Sequence, residues 1–292
     1  MDEWGSIGLL GATSLVGECV IPRLKKDGRP TVAFSRHPPD GKTEPGVTWL
    51  RLSASLSVRS EVSPIKDWLC VAPIWVLPQY FAMIEGCGAR RVVALSSTSL
   101  SVKKDSSDHG EQHIAHRLAE GERALRAWAE ARRVEWVILR PTLIYGCGRD
   151  KNLTEIVRFV RRWGFFPLLR KAEGLRQPVH AEDVAAACVS ALALPAVANR
   201  TYNLSGGETL PYREMVSRVF ATVGKVPRLV TIPRWLFRLA VAALRLVPRY
   251  RHWTVEMAER MNRDLVFDHA DATRDFGFSP RPFALSAEDL PA

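Results

Sequence analysis

The residues whose types and spacing could do chemistry begin at Gly11-Ala12-Thr13-Ser14-Leu15-Val16-Gly17. This stretch follows an apolar run, Ile7 to Leu10, and leads into a helix-like segment, Glu18 to Lys26. A strand, a glycine turn and a helix start, in that order, make a seat for the diphosphate of a dinucleotide. Gly11 permits a sharp turn where a Cβ would clash, Gly17 permits close helix–strand packing, and free N–H groups at the helix start face the phosphates. The next apolar run, Thr31 to Phe34, ends in Ser35-Arg36. An acid near this point holds the ribose 2′-hydroxyl in an NAD-specific site, whereas a serine and a guanidinium suit a 2′-phosphate. NADP(H) is therefore expected over NAD(H). The competing reading makes Arg36 an ordinary solvated loop residue. His109 and His113 stand four apart, a spacing that presents two imidazoles from one helix face, but no further ligand cluster accompanies them and no metal site is expected.

The elements that must position these residues alternate in a doubly wound manner. After the second strand comes a Pro/Gly-rich loop, His37 to Gly46, then a strand over Val47 to Leu52. Trp68 to Val76 reads as a fourth strand broken by Pro73, followed by a helix over Gln79 to Glu85. Arg91 to Leu95 reads as a strand opening into a polar loop, Ser96 to Ser107, and a long helix covers about Glu111 to Arg132. Trp136 to Leu139 is the sixth strand. Strands joined by helices at this spacing form a parallel sheet with right-handed crossovers. The second half is less regular, with helices expected over Leu153 to Trp163, Val184 to Leu194, Tyr212 to Val223 and Trp235 to Leu246, and a strand over Arg200 to Leu204. The expected fold is α/β: a Rossmann-type doubly wound parallel sheet with a small C-terminal substrate lobe. Residues 1–150 form its dinucleotide-binding core, and residues 151–292 combine the final Rossmann elements with the lobe.

The 292 residues are enough for a full core, and 47% hydrophobic with 25% charged content is ordinary for a soluble globular protein. Cys19, Cys70, Cys87, Cys147 and Cys188 are scattered without a CxxC pair, which suits buried free thiols in a reducing compartment better than a disulfide framework or a zinc site. The acidic N-terminus running straight into a strand does not read as a signal peptide, and no apolar run is long enough to span a bilayer. A cytoplasmic location is expected.

Five short motifs in order resemble the extended short-chain dehydrogenase/reductase superfamily, in its nucleotide-sugar epimerase/dehydratase branch. They are the Gly11–Gly17 turn, Leu95-Ser96-Ser97-Thr98, Leu139-Arg140-Pro141-Thr142-Leu143-Ile144-Tyr145-Gly146, Gln177-Pro178-Val179-His180-Ala181-Glu182-Asp183-Val184 and Tyr202-Asn203-Leu204-Ser205-Gly206-Gly207. The resemblance implies that backbone from Gly11 through Thr13, Ser14, Leu15 and Val16 holds the diphosphate. It implies that Ala72 and Pro73 line the adenosine side, and that Pro141, Thr142 and Ile144 flank the nicotinamide. Asp183 falls in a turn that caps a helix starting at Val184. Ser14 replaces the middle glycine of the family turn, and Ser53 stands where an acid commonly contacts adenine.

The largest departure is the Tyr-x-x-x-Lys pair, with which family members move a proton while a hydride passes to or from nicotinamide. No tyrosine occurs between Tyr80 and Tyr145 and no lysine between Lys104 and Lys151. Alignment on Ala119 to Glu122 puts Ile114 and Leu118 at the two positions; a shift of one puts His113 and Arg117 there. In the shifted register His113 is a candidate proton carrier and Arg117 a candidate ribose or phosphate partner. Thr98 aligns with the hydroxyl that binds the reacting oxygen, or serves as a strand-end hydroxyl bonded to its own backbone.

The net charge of +10 concentrates in two basic, aromatic stretches, Arg158 to Lys171 and Arg234 to Trp253. In the second, Arg234, Arg238 and Arg245 recur against an apolar face. It can lie at a membrane surface, bind substrate phosphate in the lobe, or be a core helix with a solvated side. No nucleic-acid partner is expected, because no stacking platform accompanies the charge. Two functions follow. One is an NAD(P)-dependent oxidoreductase or epimerase-like enzyme with an atypical site, acting on a carbonyl or alcohol of a nucleotide-sugar or lipid-linked substrate. The other is a non-catalytic NADP(H)-binding scaffold at a membrane or larger complex, as in superfamily relatives that accompany respiratory complex I.

Overall fold

The computed structural model describes residues 5–39, 44–52, 64–104, 106–237, 239 and 259–291. Its centre is a seven-stranded parallel sheet of β1 (Ile7–Leu10), β2 (Thr31–Ser35), β3 (Val47–Arg51), β4 (Asp67–Cys70), β5 (Arg91–Leu95), β6 (Glu135–Pro141) and β11 (Arg200–Leu204). The spatial order is β11-β6-β5-β4-β1-β2-β3. β1 and β2 are buried along their whole length, which is why they read as continuous apolar runs rather than alternating ones. The chain leaves β1 toward β2 and β3, then returns to β4 on β1's other side. This reversal opens a crevice at the carboxyl ends of β1 and β4, the place where doubly wound sheets bind ligands.

Helices cover both faces. α1 (Leu15–Lys26) and α6 (Ala181–Ala193) pack on one, where Ala185, Ala187 and Ala191 are buried and their small side chains allow close approach. The other face carries the 3-10 segment Ile74–Tyr80, α2 (Phe81–Gly86), α3 (Ser99–Lys103) and α4 (His109–Arg132). Asp108 caps α4, its carboxylate accepting from Glu111 N at 3.0 Å, and Arg133 ends it in the left-handed region at φ 56°.

A third core holds the C-terminal lobe, built around Tyr145, Val157, Phe166, Val219, Phe220 and Phe283. Its helices are α5 (Leu153–Trp163) and α7 (Tyr212–Thr222). Three two-stranded ladders frame it: β7 (Ile144–Tyr145) with β10 (Val179–His180), β8 (Phe166–Leu169) with β13 (Leu229–Ile232), and β9 (Leu175–Arg176) with β12 (Leu210–Pro211).

The structure corrects several expected elements. The fourth strand stops at Cys70, because Pro73 cannot continue a ladder, and Ile74–Val76 enter the 3-10 segment. The loop 96–107 contains helix α3. α1 begins at Leu15, and α6 begins at Ala181 with His180 as its cap, so Asp183 lies inside α6 and does not cap it. Cys19, Cys87 and Cys147 are half-buried rather than buried, though all five cysteines are free. The expected helix over 235–246 lies mostly outside the described residues, as do Arg238, Arg245, residues 249–253 and Ser53.

Candidate functional site

The crevice is shaped by what two glycines lack. Gly11 turns the chain at φ +85°, and a Cβ there would stand 2.5 Å from the backbone nitrogen of Ala72. A Cβ on Gly17 would stand 2.3 Å from the carbonyl oxygen of Gly11, so α1 starts in direct backbone contact with the turn. Ser14 caps α1 by accepting from Gly17 N at 3.1 Å, and its hydroxyl lies 3.4 Å from the Val71 carbonyl oxygen. The serine in the middle of the turn is thus a helix cap as well as a small residue. A bare turn at a helix N-terminus, filled only if a Cβ were added, fits a diphosphate.

A cavity of about 680 Å³ opens beside this turn. Gly11, Thr13 and Ser14 line it from the turn, Ser35 and Arg36 from the end of β2, and Ala72 and Pro73 from the segment after β4. Arg117 reaches it from α4, its guanidinium carbon 4.6 Å from the centre of the Trp75 ring. Thr13 and Ser35 join the two loops with their hydroxyls 3.1 Å apart, and Ser35 also accepts from His37 N at 3.2 Å. Among the described residues lining the cavity there are two arginines and no carboxylate. Sequence reasoning missed Trp75, His37 and Tyr80, which also line it. Trp75 was hidden because the segment after Pro73 reads as strand.

The other expected positions fall elsewhere. Leu15 and Gly17 belong to α1 and Val16 to its core face; none lines the cavity. Thr98, Pro141, Thr142 and Ile144 gather at the ends of β5 and β6, also outside the cavity lining. Thr98 is buried, and both its N–H and its hydroxyl bond the Pro141 carbonyl oxygen, at 3.1 and 3.2 Å. The bond is therefore to the neighbouring strand's end rather than to Thr98's own backbone. Thr142 donates from its N–H to the Leu204 carbonyl oxygen at 3.0 Å and from its hydroxyl to that of Gln177.

α4 separates the candidates in the catalytic register. Arg117 enters the cavity, whereas Leu118 is 3% exposed and belongs to the core. His113 is exposed and outside the lining, one turn before Arg117 on the same helix face. Ile114 is also exposed. One turn after Leu118, the buried Glu122 accepts from Arg140 Nε at 2.8 Å, from the Ser96 hydroxyl at 2.7 Å and from Arg126 at 3.1 Å. Tyr145 does not stand in for the absent tyrosine. Burial pushes its phenol up to about 12, and its hydroxyl donates to the Ala284 carbonyl oxygen at 3.2 Å.

His180 and Asp183 are structural in this arrangement. His180 Nδ1 accepts from Glu182 N at 3.2 Å, and Nε2 lies 3.0 Å from Asp289 Oδ1. Asp183 binds Arg281 through its backbone N–H and its side-chain Nε, each at 3.0 Å. Among the described residues, no group of three or more His, Cys, Asp or Glu side chains is placed to hold a metal, and no helix is long and apolar enough to cross a membrane.

Residues 81–205 match the model of the NAD dependent epimerase/dehydratase family. The chain is similar to the UDP-glucose 4-epimerase of Vibrio cholerae, at 24% identity over 161 residues that cover 52% of this chain and 49% of that protein. It is 30% identical over 150 residues to the NADH dehydrogenase (ubiquinone) 1 alpha subcomplex subunit 9, mitochondrial, of Arabidopsis thaliana, covering 51% of this chain and 35% of that one. The match thus spans about half or less of the length of these two relatives. Among solved structures, MoeE5 in complex with UDP-glucuronic acid and NAD superposes with a TM-score of 0.71 at 18% identity, over 96% of this chain and 95% of that one.

Proposed function

We propose, from the match of residues 81–205 to the NAD dependent epimerase/dehydratase family model, that this chain binds a nicotinamide dinucleotide in the crevice between β1 and β4. The diphosphate sits on the Gly11–Gly17 turn, the adenosine lies in the cavity beside Ala72 and Pro73, and Pro141, Thr142 and Ile144 flank the nicotinamide. The relatives support the cofactor class, since MoeE5 is in complex with NAD. The phosphate on the 2′ position is this chain's own feature: Arg36 and Arg117 converge on a cavity whose described lining has no carboxylate. That observation carries the preference for NADP(H) over NAD(H). Calorimetric titration with both nucleotides tests it. NADPH binding more tightly than NADH is the expected result; no heat with either, or the reverse order, overturns it.

The reaction class is oxidoreduction or epimerisation at a carbonyl or alcohol of a phosphorylated small molecule, a nucleotide-sugar or a lipid-linked intermediate, held by the C-terminal lobe. When bound, the nicotinamide supplies hydride exchange with the substrate carbon. His113 is the candidate proton carrier and Arg117 the charge beside it, with Thr98 on the substrate oxygen. Because the Thr98 hydroxyl donates to Pro141, its free lone pairs suit a substrate alcohol better than a carbonyl. Turnover of NADPH with nucleotide-sugar ketones, abolished in His113→Ala, tests this assignment; unchanged turnover in that variant removes it.

One observation favours a second reading, a non-catalytic NADP(H)-binding scaffold. In the register aligned on Ala119 to Glu122, the core residue Leu118 falls at the lysine position and Ile114 at the tyrosine position. The partial similarity to an NADH dehydrogenase (ubiquinone) subcomplex subunit is in keeping with it. Trp235 and Leu239, 65% and 61% exposed beside Arg234, support a peripheral contact with an anionic membrane in that role. Tight cofactor without turnover on any substrate selects the scaffold, and flotation with anionic liposomes tests the contact.

A further inference from the structure

We propose that Cys19 and Cys147 form a thiol–disulfide pair that closes on oxidation and fastens the start of α1 to the loop after β7. Their Sγ atoms lie 3.7 Å apart although 128 positions separate them in sequence, and both are half-buried free thiols. The fold brings them together. Gly146, Cys147 and Gly148 have φ values of 117°, 55° and 62°, a run of left-handed backbone that a side chain adopts rarely. The Cys147 N–H donates to Asp289 Oδ1 at 3.0 Å, and the same oxygen lies 3.0 Å from His180 Nε2, so the loop is pinned to the buried His180–Asp289 pair. On the other side Cys19 lies in the second turn of α1, two residues beyond Gly17. Arg149 already bridges the same seam, pairing with Glu18 and reaching the Thr13 carbonyl oxygen at 3.4 Å.

The step balances with a low-molecular-weight disulfide such as oxidised glutathione as the oxidant. One cysteine thiolate attacks a sulfur of the oxidant and releases one thiol. The second cysteine thiolate then displaces the other half, leaving one protein S–S bond and two reduced thiols that carry the two protons. Burial pushes the Cys19 thiol up to about 12 and raises Cys147 too, and the carboxylates of Glu18 and Glu182 add to both. The two sulfurs share one contact in which either can be the donor, so either thiolate makes the first attack. Exchange is consequently slow, on the order of hours at neutral pH. Cys70 and Cys188 are fully buried under the sheet and α6, where the oxidant does not reach them.

The consequence for ligand exchange rests on the cofactor reading above. A bond at this seam ties down the helix whose first turn faces the diphosphate, so oxidised protein releases NADPH about tenfold more slowly than reduced protein. The test incubates the full chain with oxidised glutathione, then blocks free thiols and maps peptides without reduction. The expected product is a peptide pair joined through Cys19 and Cys147, reversed by dithiothreitol and absent in Cys19→Ser and Cys147→Ser. The melting temperature of the wild type rises by about 5 °C on oxidation, and that of either variant does not. Glutathione adducts without the cross-link, or a cross-link that leaves both the melting temperature and the release rate unchanged, overturn the proposal. Failure to bind NADPH in the reduced state would instead sink the cofactor assignment, and peptide mapping with melting would still decide the disulfide.

Discussion

Arg117 lies across the face of Trp75, guanidinium carbon to ring centre 4.6 Å, and both side chains open onto the cavity that Arg36 enters from the opposite loop. The two arginines come from elements far apart in sequence, the end of β2 and the third turn of α4, and only the fold makes them neighbours of one cavity. A charge-assisted contact to phosphate is worth about 2 kcal/mol, and 1.4 kcal/mol is tenfold in affinity. Arg36→Ala is therefore expected to weaken NADPH binding by about tenfold or more and to leave NADH nearly unchanged. Arg36→Asp reverses the order by offering a carboxylate to a 2′-hydroxyl. Calorimetry on the two variants reads both outcomes; equal losses for the two nucleotides would place Arg36 on a part they share, and no loss for either would assign it to solvent.

The glycine turn makes a sharper prediction because its contacts are backbone to backbone. A methyl group on Gly17 meets the Gly11 carbonyl oxygen at 2.3 Å, which no side-chain rotation relieves. Gly17→Ala is expected to cost about 3 kcal/mol of stability and to abolish dinucleotide binding as α1 shifts off the turn. Ser14→Ala removes only the cap, about 1 kcal/mol, and leaves the bend in place. Urea unfolding separates the two. Equal effects would mean that the cap, rather than the close approach, sets the turn.

That contrast shows where the sequence was legible. Gly11, Gly17 and Arg36 announce themselves because their requirements are local: a positive φ, a close contact, a charge after a buried strand. The parallel sheet follows from apolar runs joined by helices, and the same logic located the ends of β1 and β5, while β2 runs one residue past its apolar run to Ser35. The segment after Pro73 reads as strand by composition, Ile74-Trp75-Val76, whereas it forms a 3-10 turn that begins at Pro73 and packs closely on Gly121 of α4. Trp75 was lost with it. The register of α4 was equally out of reach. His113 and Arg117 share a face by spacing alone, but that Arg117 meets the cavity while Leu118 fills the core depends on how Glu122 is anchored from β6. Cys19 and Cys147 illustrate the limit best, since nothing in either neighbourhood of the sequence points to the other.

Glu122 provides the test of that anchor. It is 3% exposed and takes a two-pronged contact from Arg140, whose side chain is 24% exposed. Glu122→Gln leaves a largely buried guanidinium without its counter-charge, which costs about 3 kcal/mol. A fall in melting temperature of about 5–10 °C is expected, with NADPH affinity preserved well below the transition because Glu122 does not line the cavity. Lost affinity in a still-folded variant would show instead that the network sets the position of Arg117.

Asp289 carries a pH signature. Burial works against its ionisation, yet hydrogen bonds from His180, from the Ser286 N–H and hydroxyl and from Cys147 N–H outweigh it and hold the carboxyl well below the usual carboxylate range. A carboxyl depressed on folding stabilises the native state at every pH above its unfolded value, about 4, and that contribution drains away as pH falls through the folded value. Asp289→Asn should therefore be less stable than the wild type by about 2 kcal/mol at pH 5. Its deficit should shrink between about pH 4 and pH 3, because there the wild type begins to lose what the variant never had. Urea midpoints across this range read the difference directly. A gap that stays constant down to pH 3 would mean that the residue acts through its shape in the Ser286 turn and the Cys147 loop, and that its charge contributes nothing to holding them together.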